Sequence, residues 1–243
     1  MVYVEPFVGS GAVFFNKLPG AVETVNDLDG DIVNLFYVLR EHPEELKRVL
    51  SLTPYSREEY DKSFLPCNEP IEKARRYIIK TTQAIGAKMD GKCGWRNHKQ
   101  KTIGGTACKW ASITNTIDIA SKRLLGDTTH LVQIERKDAL SLIEKYNSSE
   151  VLMYLDPPYV RSARKSGRLY KYEMNDEQQI QMLKLISMSN AKIVLSGYDS
   201  DLYNNVLSTW NKYSTETRTT SSELVKEFIW MNYEPPNEQI KLF

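Results

Sequence analysis

The sequence predicts an α/β protein built on a mostly parallel, doubly wound sheet. Short apolar segments alternate along the chain with segments of helical periodicity, which is the pattern of strands connected by crossover helices. Residues 151–155 are apolar throughout, as expected for a parallel strand buried on both faces. An apolar segment near the N-terminus leads directly into Gly9-Ser10-Gly11, which predicts a strand, a glycine turn and a helix.

The N-terminal elements form the first part of this sheet. Residues 3–8 and 21–25 are predicted strands, and residues 12–18 are a predicted helix between them. Asp29 is placed to cap a further helix, because a carboxylate at that position accepts a hydrogen bond from a free backbone N–H. Pro43 is placed to open the next helix, whose first turn is acidic.

The alternation weakens between residues 53 and 128, where Gly, Tyr, Trp and Lys interleave. We interpret residues 53–128 as an inserted, mainly helical and loop-rich subdomain, and residues 1–52 and 129–243 as the main domain. In the main domain, Asn175 and Gln178 have the spacing of a capping box at the start of a helix. The remaining predicted elements are, in order, strand 131–134, helix 139–146, strand 151–155, strand 192–196 and a closing antiparallel hairpin of 213–217 and 225–231.

A candidate binding motif, Asp156-Pro157-Pro158-Tyr159, directly follows the predicted strand 151–155. Open α/β sheets bind ligands at the carboxyl ends of their strands. In a stiff loop, the Asp156 carboxylate and the Pro157 carbonyl can accept both hydrogens of an amino group on a planar base. Stacking of the Tyr159 ring on that base would require the ring alone. A simple Asp-Pro turn is the structural alternative, but the buried strand before the motif and the earlier glycine turn favour the functional interpretation.

A second candidate site begins at the glycine turn, where a ligand could approach the backbone closely. Phe14 stands where a dinucleotide fingerprint requires its third glycine, which disfavours a nicotinamide cofactor. Asp27 ends the second predicted strand, where an acidic residue of nucleotide-binding sheets takes ribose hydroxyls. Helix capping is the alternative for Asp27, but Asp29 is available for that role. Asp138 follows the strand 131–134 and could equally cap the next helix or reach an adenine amino group.

The composition sets further limits on function. The net charge is +1, but the charges are unevenly distributed. Residues 72–109 contain ten lysines and arginines and two acidic residues, and residues 161–171 contain five lysines and arginines and no acidic residue. Such segregation favours a polyanion such as nucleic acid as the partner. The apolar segments are too short to span a membrane, and no signal segment is recognisable. The three cysteines and three histidines lack metal-ligand spacing, so we predict a cytoplasmic protein that binds no metal.

Together these motifs resemble the Dam-type, or DPPY-motif, family of DNA adenine-N6 methyltransferases, over nearly the whole chain. The resembling segments are YVEPFVGSGAVFFNK, VNDLDGDIVNLFYVLREHPEEL, LTPYSREEY, VQIERKDAL, VLMYLDPPYV, YEMNDEQQ and IVLSGYDSDLY. The resemblance implies the class I S-adenosylmethionine-dependent methyltransferase fold, which is Rossmann-like, with residues 53–128 as a target-recognition insertion. It implies a site-specific enzyme that transfers a methyl group from S-adenosylmethionine to the exocyclic amino group of an adenine flipped out of double-stranded DNA.

The resemblance also implies roles for individual residues. Those that would hold the target base as catalytic residues are Asp156, Pro157 and Tyr159. Those that would hold the cofactor S-adenosylmethionine are Phe7, Gly9, Ser10, Gly11 and Asp27, with Asp138 beside its adenine. The two basic stretches independently provide candidates for contacts with DNA phosphates: Arg96, Lys99, Lys101, Arg161, Arg164 and Lys165.

Several alternatives stay open at this point. Members of the family usually carry a W/Y-x-G-G-K-type segment before the first strand, and none precedes Tyr3 in this sequence. One alternative is therefore a catalytically weak or silent DNA-binding subunit with reduced cofactor affinity. A second alternative keeps the enzyme but places the methyl group on RNA adenine or on cytosine. An NAD-dependent oxidoreductase is the least favoured alternative, and a cognate restriction enzyme is a candidate partner.

Overall fold

The computed structural model describes residues 1–85, 93–97, 110–159, 171–218 and 224–235. Within these residues seven strands form one sheet. The strands are β1 (Val2–Glu5), β2 (Val22–Asn26), β3 (Leu131–Glu135), β4 (Val151–Leu155), β5 (Lys192–Gly197), β6 (Asn211–Arg218) and β7 (Leu224–Met231). Their order across the sheet is β3-β2-β1-β4-β5-β7-β6.

The first five strands run parallel to one another, and β7 pairs antiparallel with both β5 and β6. The predicted mostly parallel sheet and its closing antiparallel hairpin are therefore confirmed. The direction in which successive strands are added reverses between β1 and β4. A crevice opens at such a reversal above the carboxyl ends of the two strands, and ligands of open α/β sheets bind there.

Helices lie along the chain between the strands, and their ends follow the predicted caps. Asp29 accepts a hydrogen bond from the N–H of Asp31, Pro43 occupies the first turn of its helix, and Asn175 with Gln178 forms a complete capping box. The described helices are α1 (Ala12–Asn16), α2 (Gly30–Glu41), α3 (Pro43–Ser51), α4 (Arg57–Lys62), α5 (Pro70–Gln83), α6 (Ile113–Leu125), α7 (Ala139–Lys145), α8 (Asp176–Ser187) and α9 (Asp201–Val206). In the described part of the chain, none of them is both long and apolar enough to cross a bilayer.

Two hydrophobic clusters cover the sheet. The first joins β1, β4 and β5 to α7, α8 and α9, with Met153 and Leu183 fully buried. The second joins β2 and β3 to α1, α2, α3, α5 and α6 around Phe14 and Phe36. The expectation that residues 151–155 are buried on both faces is wrong for one face, because Tyr154 is only half-buried there. Tyr154 lies on the face of β4 that continues to Asp156, at the open edge of the sheet.

Helices α5 and α6, which belong to the stretch interpreted as an insertion, contribute Ile78 and Leu124 to the second cluster. Arg123 of α6 also forms an ion pair of 2.5 Å with Glu23, a fully buried residue of β2. Burial alone would raise the pKa of Glu23, but hydrogen bonds from Arg123, Lys17 and His130 lower it to about 2. The helical character predicted for this stretch is confirmed for α4, α5 and α6, and its role in DNA recognition stays a prediction.

Candidate functional site

The two motifs singled out in the sequence lie at the carboxyl ends of two neighbouring strands, β1 and β4. Strand β1 ends at Glu5 and leads into the glycine turn, and β4 ends at Leu155 and leads into Asp156. Because these strands are parallel neighbours, both turns leave the same edge of the sheet side by side. The topology therefore brings residues about 150 positions apart in the chain into one site.

Glycine is required in the first turn for two different reasons. Both Gly9 and Gly11 have positive φ angles, 51° and 72°, which side chains other than hydrogen disfavour. A Cβ at Gly11 would come within 2.7 Å of the Phe15 ring, whereas a Cβ at Gly9 would meet no atom within 4 Å. Gly11 is thus needed for packing, and Gly9 borders open space into which a ligand could fit.

Substitution of these two glycines should give different defects. Gly11→Ala should lower the melting temperature, because the added methyl group clashes with Phe15 and the positive φ costs about 1–2 kcal/mol. Gly9→Ala carries a similar backbone cost without the clash, so we expect a smaller thermal shift and a larger loss of cofactor affinity. Differential scanning calorimetry and titration calorimetry measure the two effects. Equal thermal shifts in the two variants would contradict this distinction.

Backbone N–H groups of the glycine turn are hydrogen-bonded within the protein. The N–H of Gly9 donates to Asp27 Oδ2 at 2.9 Å, and that of Gly11 donates to the carbonyl of Val8 at 2.7 Å. These two donors are therefore used within the protein, and α1 after the turn has five residues. The interpretation that a dinucleotide is disfavoured stays a prediction.

The Asp27 carboxylate is held in a defined orientation. Its second oxygen, Oδ1, accepts from the N–H of Asp29 at 2.8 Å, so each oxygen receives one backbone hydrogen bond. Burial raises the pKa of Asp27, because it disfavours the charged carboxylate. The two N–H donors stabilise that charge and offset part of the rise. Each carboxylate oxygen can accept further hydrogen bonds, which leaves Asp27 capacity for a ligand hydroxyl.

Asn26, which the sequence analysis passed over, ties the carboxyl ends of three strands together. Its side-chain amide donates to the carbonyl of Pro6 at 2.9 Å and to that of Lys137 at 3.0 Å. Its side-chain oxygen accepts from the N–H of Lys137 at 2.8 Å. The residue is 1% exposed, so these bonds fix the loops after β1, β2 and β3 from within.

Asp138 caps α7. Its Oδ2 accepts from the N–H of Ser141 at 2.9 Å and from the Ser141 hydroxyl at 3.1 Å. The capping alternative weighed from the sequence is what the structure displays, and contact with a cofactor stays a prediction for this exposed side chain. Phe7 is half-buried and packs against the first hydrophobic cluster, while Ser10 is exposed at the tip of the glycine turn.

The Asp156 carboxylate lies at the carboxyl end of β4 with two hydroxyl partners. Ser196, in the neighbouring strand β5, donates to Asp156 Oδ1 at 2.7 Å, and the hydroxyl of Tyr159 also hydrogen-bonds to the carboxylate. Asp156 is exposed to solvent, yet enough protein surrounds it that desolvation raises its pKa, which both hydrogen bonds counteract. A carboxylate with about four acceptor sites retains capacity for a ligand donor after these two bonds.

Two aromatic rings stand beside this carboxylate. The rings of Tyr159 and Tyr198 are in contact, with centroids 4.4 Å apart and planes inclined at 56°. Tyr198 directly follows β5, and Tyr159 directly follows the two prolines after β4. The predicted stacking residue thus has a second tyrosine against it, which the sequence analysis did not anticipate.

The proline pair is held from beneath by a buried glutamine. Gln179 of α8 is fully buried and donates from Nε2 to the carbonyl of Pro158 at 2.7 Å. Its Oε1 accepts from the hydroxyl of Tyr203 in α9 at 2.8 Å. Because the Pro158 carbonyl is used in this way and the φ torsions of both prolines are restricted, the backbone at Pro157 and Pro158 has little conformational freedom.

Gln179→Leu should destabilise the protein and loosen the loop. The substitution leaves the buried Tyr203 hydroxyl and the Pro158 carbonyl without their partner, at a cost of about 1–3 kcal/mol for each unsatisfied group. We expect a clearly lower melting temperature, which the added substitution Tyr203→Phe should partly restore. An unchanged melting temperature in Gln179→Leu would show that the glutamine does not hold the loop.

A second acid is buried close to Asp156. Glu5, at the end of β1, is 2% exposed and accepts a hydrogen bond from the hydroxyl of Tyr3. Burial raises the pKa of Glu5 to about 7, although the Tyr3 hydrogen bond and the charge of Lys17 lower it. The negative charge of Asp156 adds to this rise in the pKa of Glu5. The site therefore contains two neighbouring acids, and the charge on one disfavours ionisation of the other.

Of the predicted DNA-contacting residues, only Arg96 falls within the described residues. Lys99, Lys101, Arg161, Arg164 and Lys165 lie outside them. The N–H of Arg96 donates to the carbonyl of Gln83 at 2.8 Å, and its carbonyl accepts from the hydroxyl of Tyr55 at 2.6 Å.

Several other lysines and arginines of the two basic stretches form ion pairs with acidic residues of the protein. Lys73 pairs with Asp31, Arg75 with Glu59 and Glu72, Arg76 with Glu72, and Lys171 with Asp29 and Asp31. The charge available to a polyanion is thus smaller than the sequence count indicated, because part of it is neutralised internally.

Sequence reasoning missed four residues that support the site: Asn26, Gln179, Ser196 and Tyr198. A signal was present for two of them, because Ser196 and Tyr198 end and follow a predicted buried strand, the position that identified Asp156. Gln179 was recognisable only as part of an amphipathic helix, and Asn26 only as the end of a strand. Their roles depend on contacts with residues distant in the chain.

Comparison with known proteins agrees with this architecture. The model of a family described as D12 class N6 adenine-specific DNA methyltransferase matches residues 1–221. A protein named type II methyltransferase M.MjaIII, from Methanocaldococcus jannaschii, is 24% identical over 241 residues, which cover 86% of this chain and 78% of that protein. Type II methyltransferase M1.LlaDCHI, from Lactococcus lactis subsp. cremoris, is 22% identical over 255 residues, which cover 95% of this chain and 86% of that protein.

Proposed function

The chain belongs to the family of D12 class N6 adenine-specific DNA methyltransferases, and from this premise we propose how its crevice carries out the reaction. The proposal is that the glycine turn after β1 holds S-adenosylmethionine and that the Asp156 loop after β4 holds an adenine flipped out of DNA. The observation that carries it is the adjacency of the two turns at the point where the strand order reverses.

The residues around the glycine turn suit a cofactor with a ribose and a positive charge. Open space borders Gly9, and the Asp27 carboxylate is oriented by two backbone donors and retains acceptor capacity. S-adenosylmethionine supplies an electrophilic methyl group on a positively charged sulfur when bound. We assign its binding to Phe7, Gly9, Ser10, Gly11 and Asp27, with Asp138 at the edge of the site.

Adenine would be held by the second turn. Asp156 and the carbonyl of Pro157 accept the two amino hydrogens, which directs the nitrogen lone pair away from the protein loop. Tyr159 stacks on the base and offsets part of the few kcal/mol that extrusion from the duplex costs. The rigidity of the Pro157-Pro158 pair, reinforced by Gln179, keeps these acceptors in one arrangement.

The charge of Asp156 contributes to the reaction as well as to binding. The adenine nitrogen would become positively charged as it forms its bond to the methyl carbon and the bond from that carbon to the cofactor sulfur breaks, which would leave a neutral thioether. A carboxylate hydrogen-bonded to that amino group would stabilise the developing charge. The proton that the methylated nitrogen loses would leave through this hydrogen bond to Asp156, which is exposed to solvent. Asp156 acts in its ionised form, so activity should decline as the pH falls through the raised pKa of this residue.

The experiment that tests the proposal measures transfer of a tritiated methyl group from S-adenosylmethionine to double-stranded DNA, followed by nucleoside analysis. We expect the label in N6-methyl-2′-deoxyadenosine from the DNA. We expect no label in cytosine or in RNA supplied in parallel. Titration calorimetry with S-adenosylmethionine separates an active enzyme from a silent subunit. A protein that binds no cofactor at millimolar concentration would contradict the assignment.

The type II designation of both relatives supports one further part of the proposal, a restriction enzyme that recognises the same DNA sequence. Plasmid DNA from cells that express this chain should then resist cleavage by that enzyme.

DNA binding itself should weaken steeply with salt, since basic residues displace counterions from phosphates. Arg96, Lys99, Lys101, Arg161, Arg164 and Lys165 remain our candidates for these contacts.

A further inference from the structure

The segment Ser196-Gly197-Tyr198 contacts the Asp156 and Tyr159 side chains of the proposed base-binding loop. The family comparison assigns no role to this segment. Strand β5 is the parallel neighbour of β4, with Leu195 in register with Leu155. The next positions of the two strands, Ser196 and Asp156, therefore lie on the same face of the sheet. Alternation places Tyr198 on this face too, beside Tyr159.

We propose that Ser196 and Tyr198 are positioning residues for methyl transfer: Ser196 orients the Asp156 carboxylate, and Tyr198 supports the Tyr159 ring. The inference rests on the proposed function, because it concerns the same base-binding loop. It extends that function to two residues outside the Asp-Pro-Pro-Tyr motif, and the distances of 2.7 Å and 4.4 Å carry it.

The Ser196 hydroxyl donates to Asp156 Oδ1 at 2.7 Å, because a carboxylate only accepts. Tyr154 lies two residues before Asp156 on the same face of β4. The interaction of Ser196 with Tyr154 lowers the pKa of that tyrosine, against the rise that burial causes.

Gly197 explains how this segment can lie so close to the core. A Cβ at Gly197 would come within 3.2 Å of the Tyr203 ring and 3.6 Å of the Trp230 ring. Its face of β5 packs directly on the first hydrophobic cluster, whereas Ser196 and Tyr198 point to the opposite face. The close packing fixes the strand end and with it the two side chains that contact the loop.

Removal of the Ser196 hydroxyl should reduce kcat and change its pH dependence. A hydrogen bond to a charged group contributes about 1.5–3 kcal/mol, which corresponds to a loss of about 10- to 100-fold in Ser196→Ala. In the wild type this hydrogen bond favours the ionised form of Asp156. Without it the pKa of Asp156 should rise, and the acid limb of the pH profile should move to higher pH. Ser196→Thr keeps a hydroxyl and should retain most of the activity.

The matched control is Ser187→Ala. The Ser187 hydroxyl bonds only locally in the described structure, to the carbonyl of Lys184 in α8, and the residue is exposed. This variant should keep the kcat and the pH profile of the wild type. Melting temperatures of all variants separate a loss of folding from a loss of positioning.

The role of Tyr198 is tested by a double-mutant cycle with Tyr159. Tyr198→Ala should lower kcat by about 3- to 10-fold through loss of a ring contact of about 0.5–1.5 kcal/mol, and Tyr198→Phe should retain activity. In a protein that already carries Tyr159→Ala, Tyr198→Ala should have little further effect, since the ring it supports is absent.

Two kinds of result would overturn this inference and leave the proposed function standing. The first is a Ser196→Ala variant with an unchanged kcat and an unchanged acid limb, or an equal loss in Ser196→Ala and Ser196→Thr. The second is full additivity of the Tyr159 and Tyr198 substitutions. A wild-type protein that methylates no adenine in DNA would instead overturn the proposed function, and this inference with it.

Discussion

Asp156→Asn should lower the rate of methyl transfer to DNA by about a hundredfold to a thousandfold, the effect of removing one oriented electrostatic group from an active site. Asparagine has the same shape but no charge, and its amide can present N–H donors to an adenine amino group that needs acceptors. The substitution should leave the fold intact, because Asp156 is solvent-exposed and the hydroxyl of Ser196 can still donate to the amide oxygen.

The measurement is single-turnover transfer of a labelled methyl group, with the melting temperature recorded for each variant. Asp176→Asn, at an exposed position in the first turn of α8, is the control and should retain the wild-type rate. If Asp156→Asn turned over as fast as the wild type, the carboxylate would have no part in the reaction.

Tyr159→Ala should have the second largest effect. Stacking of a base on an aromatic ring contributes about 1–3 kcal/mol, so its loss should lower kcat/KM by about 5- to 150-fold. The loss should be present on duplex DNA and smaller on DNA with a mismatch opposite the target, because a mismatched base costs less to extrude. Rates on the two substrates provide the comparison.

Tyr159→Phe distinguishes the ring from the hydroxyl. Stacking requires the ring alone, which by itself would leave the phenylalanine variant nearly active. The structure adds a hydrogen bond from the hydroxyl to Asp156 that lowers the pKa of the carboxyl. We therefore expect an intermediate rate and an acid limb displaced to higher pH in Tyr159→Phe. A pH profile identical to that of the wild type would limit Tyr159 to stacking.

Local features of the fold were predictable because they depend on neighbouring residues. The caps at Asp29 and Asn175 follow from side chains that satisfy free N–H groups within a few positions. Residues 151–155 and 192–196 were recognised as strands from their apolar character, and both lie in the sheet as β4 and β5. The location of both turns at the carboxyl edge of the sheet followed from parallel strands, whereas the pairing of β1 with β4, which makes them neighbours, comes from the structure.

Contacts between distant segments were not predictable in the same way. Gln179 reaches Pro158 from a helix, and Ser196 reaches Asp156 from another strand. A glutamine within an amphipathic helix looks the same in sequence whether it faces solvent or a buried carbonyl. The charge count failed for a related reason, since Lys73 is neutralised by Asp31, which precedes it by 42 positions and lies in another helix.

The buried Glu23 has a consequence for exchanging recognition specificity between relatives. Arg123 lies at the far end of the stretch that we assign to DNA recognition, and it neutralises a carboxylate inside the sheet. A chimaera that imports this stretch without an arginine at that place would leave Glu23 with Lys17 and His130 as its remaining partners, and so would weaken the compensation of a buried charge. Transplants that end before α6, or that replace Glu23 together with Arg123, avoid that loss. The ion pair between Arg123 and Glu23 therefore bears on where a graft into this scaffold can be joined.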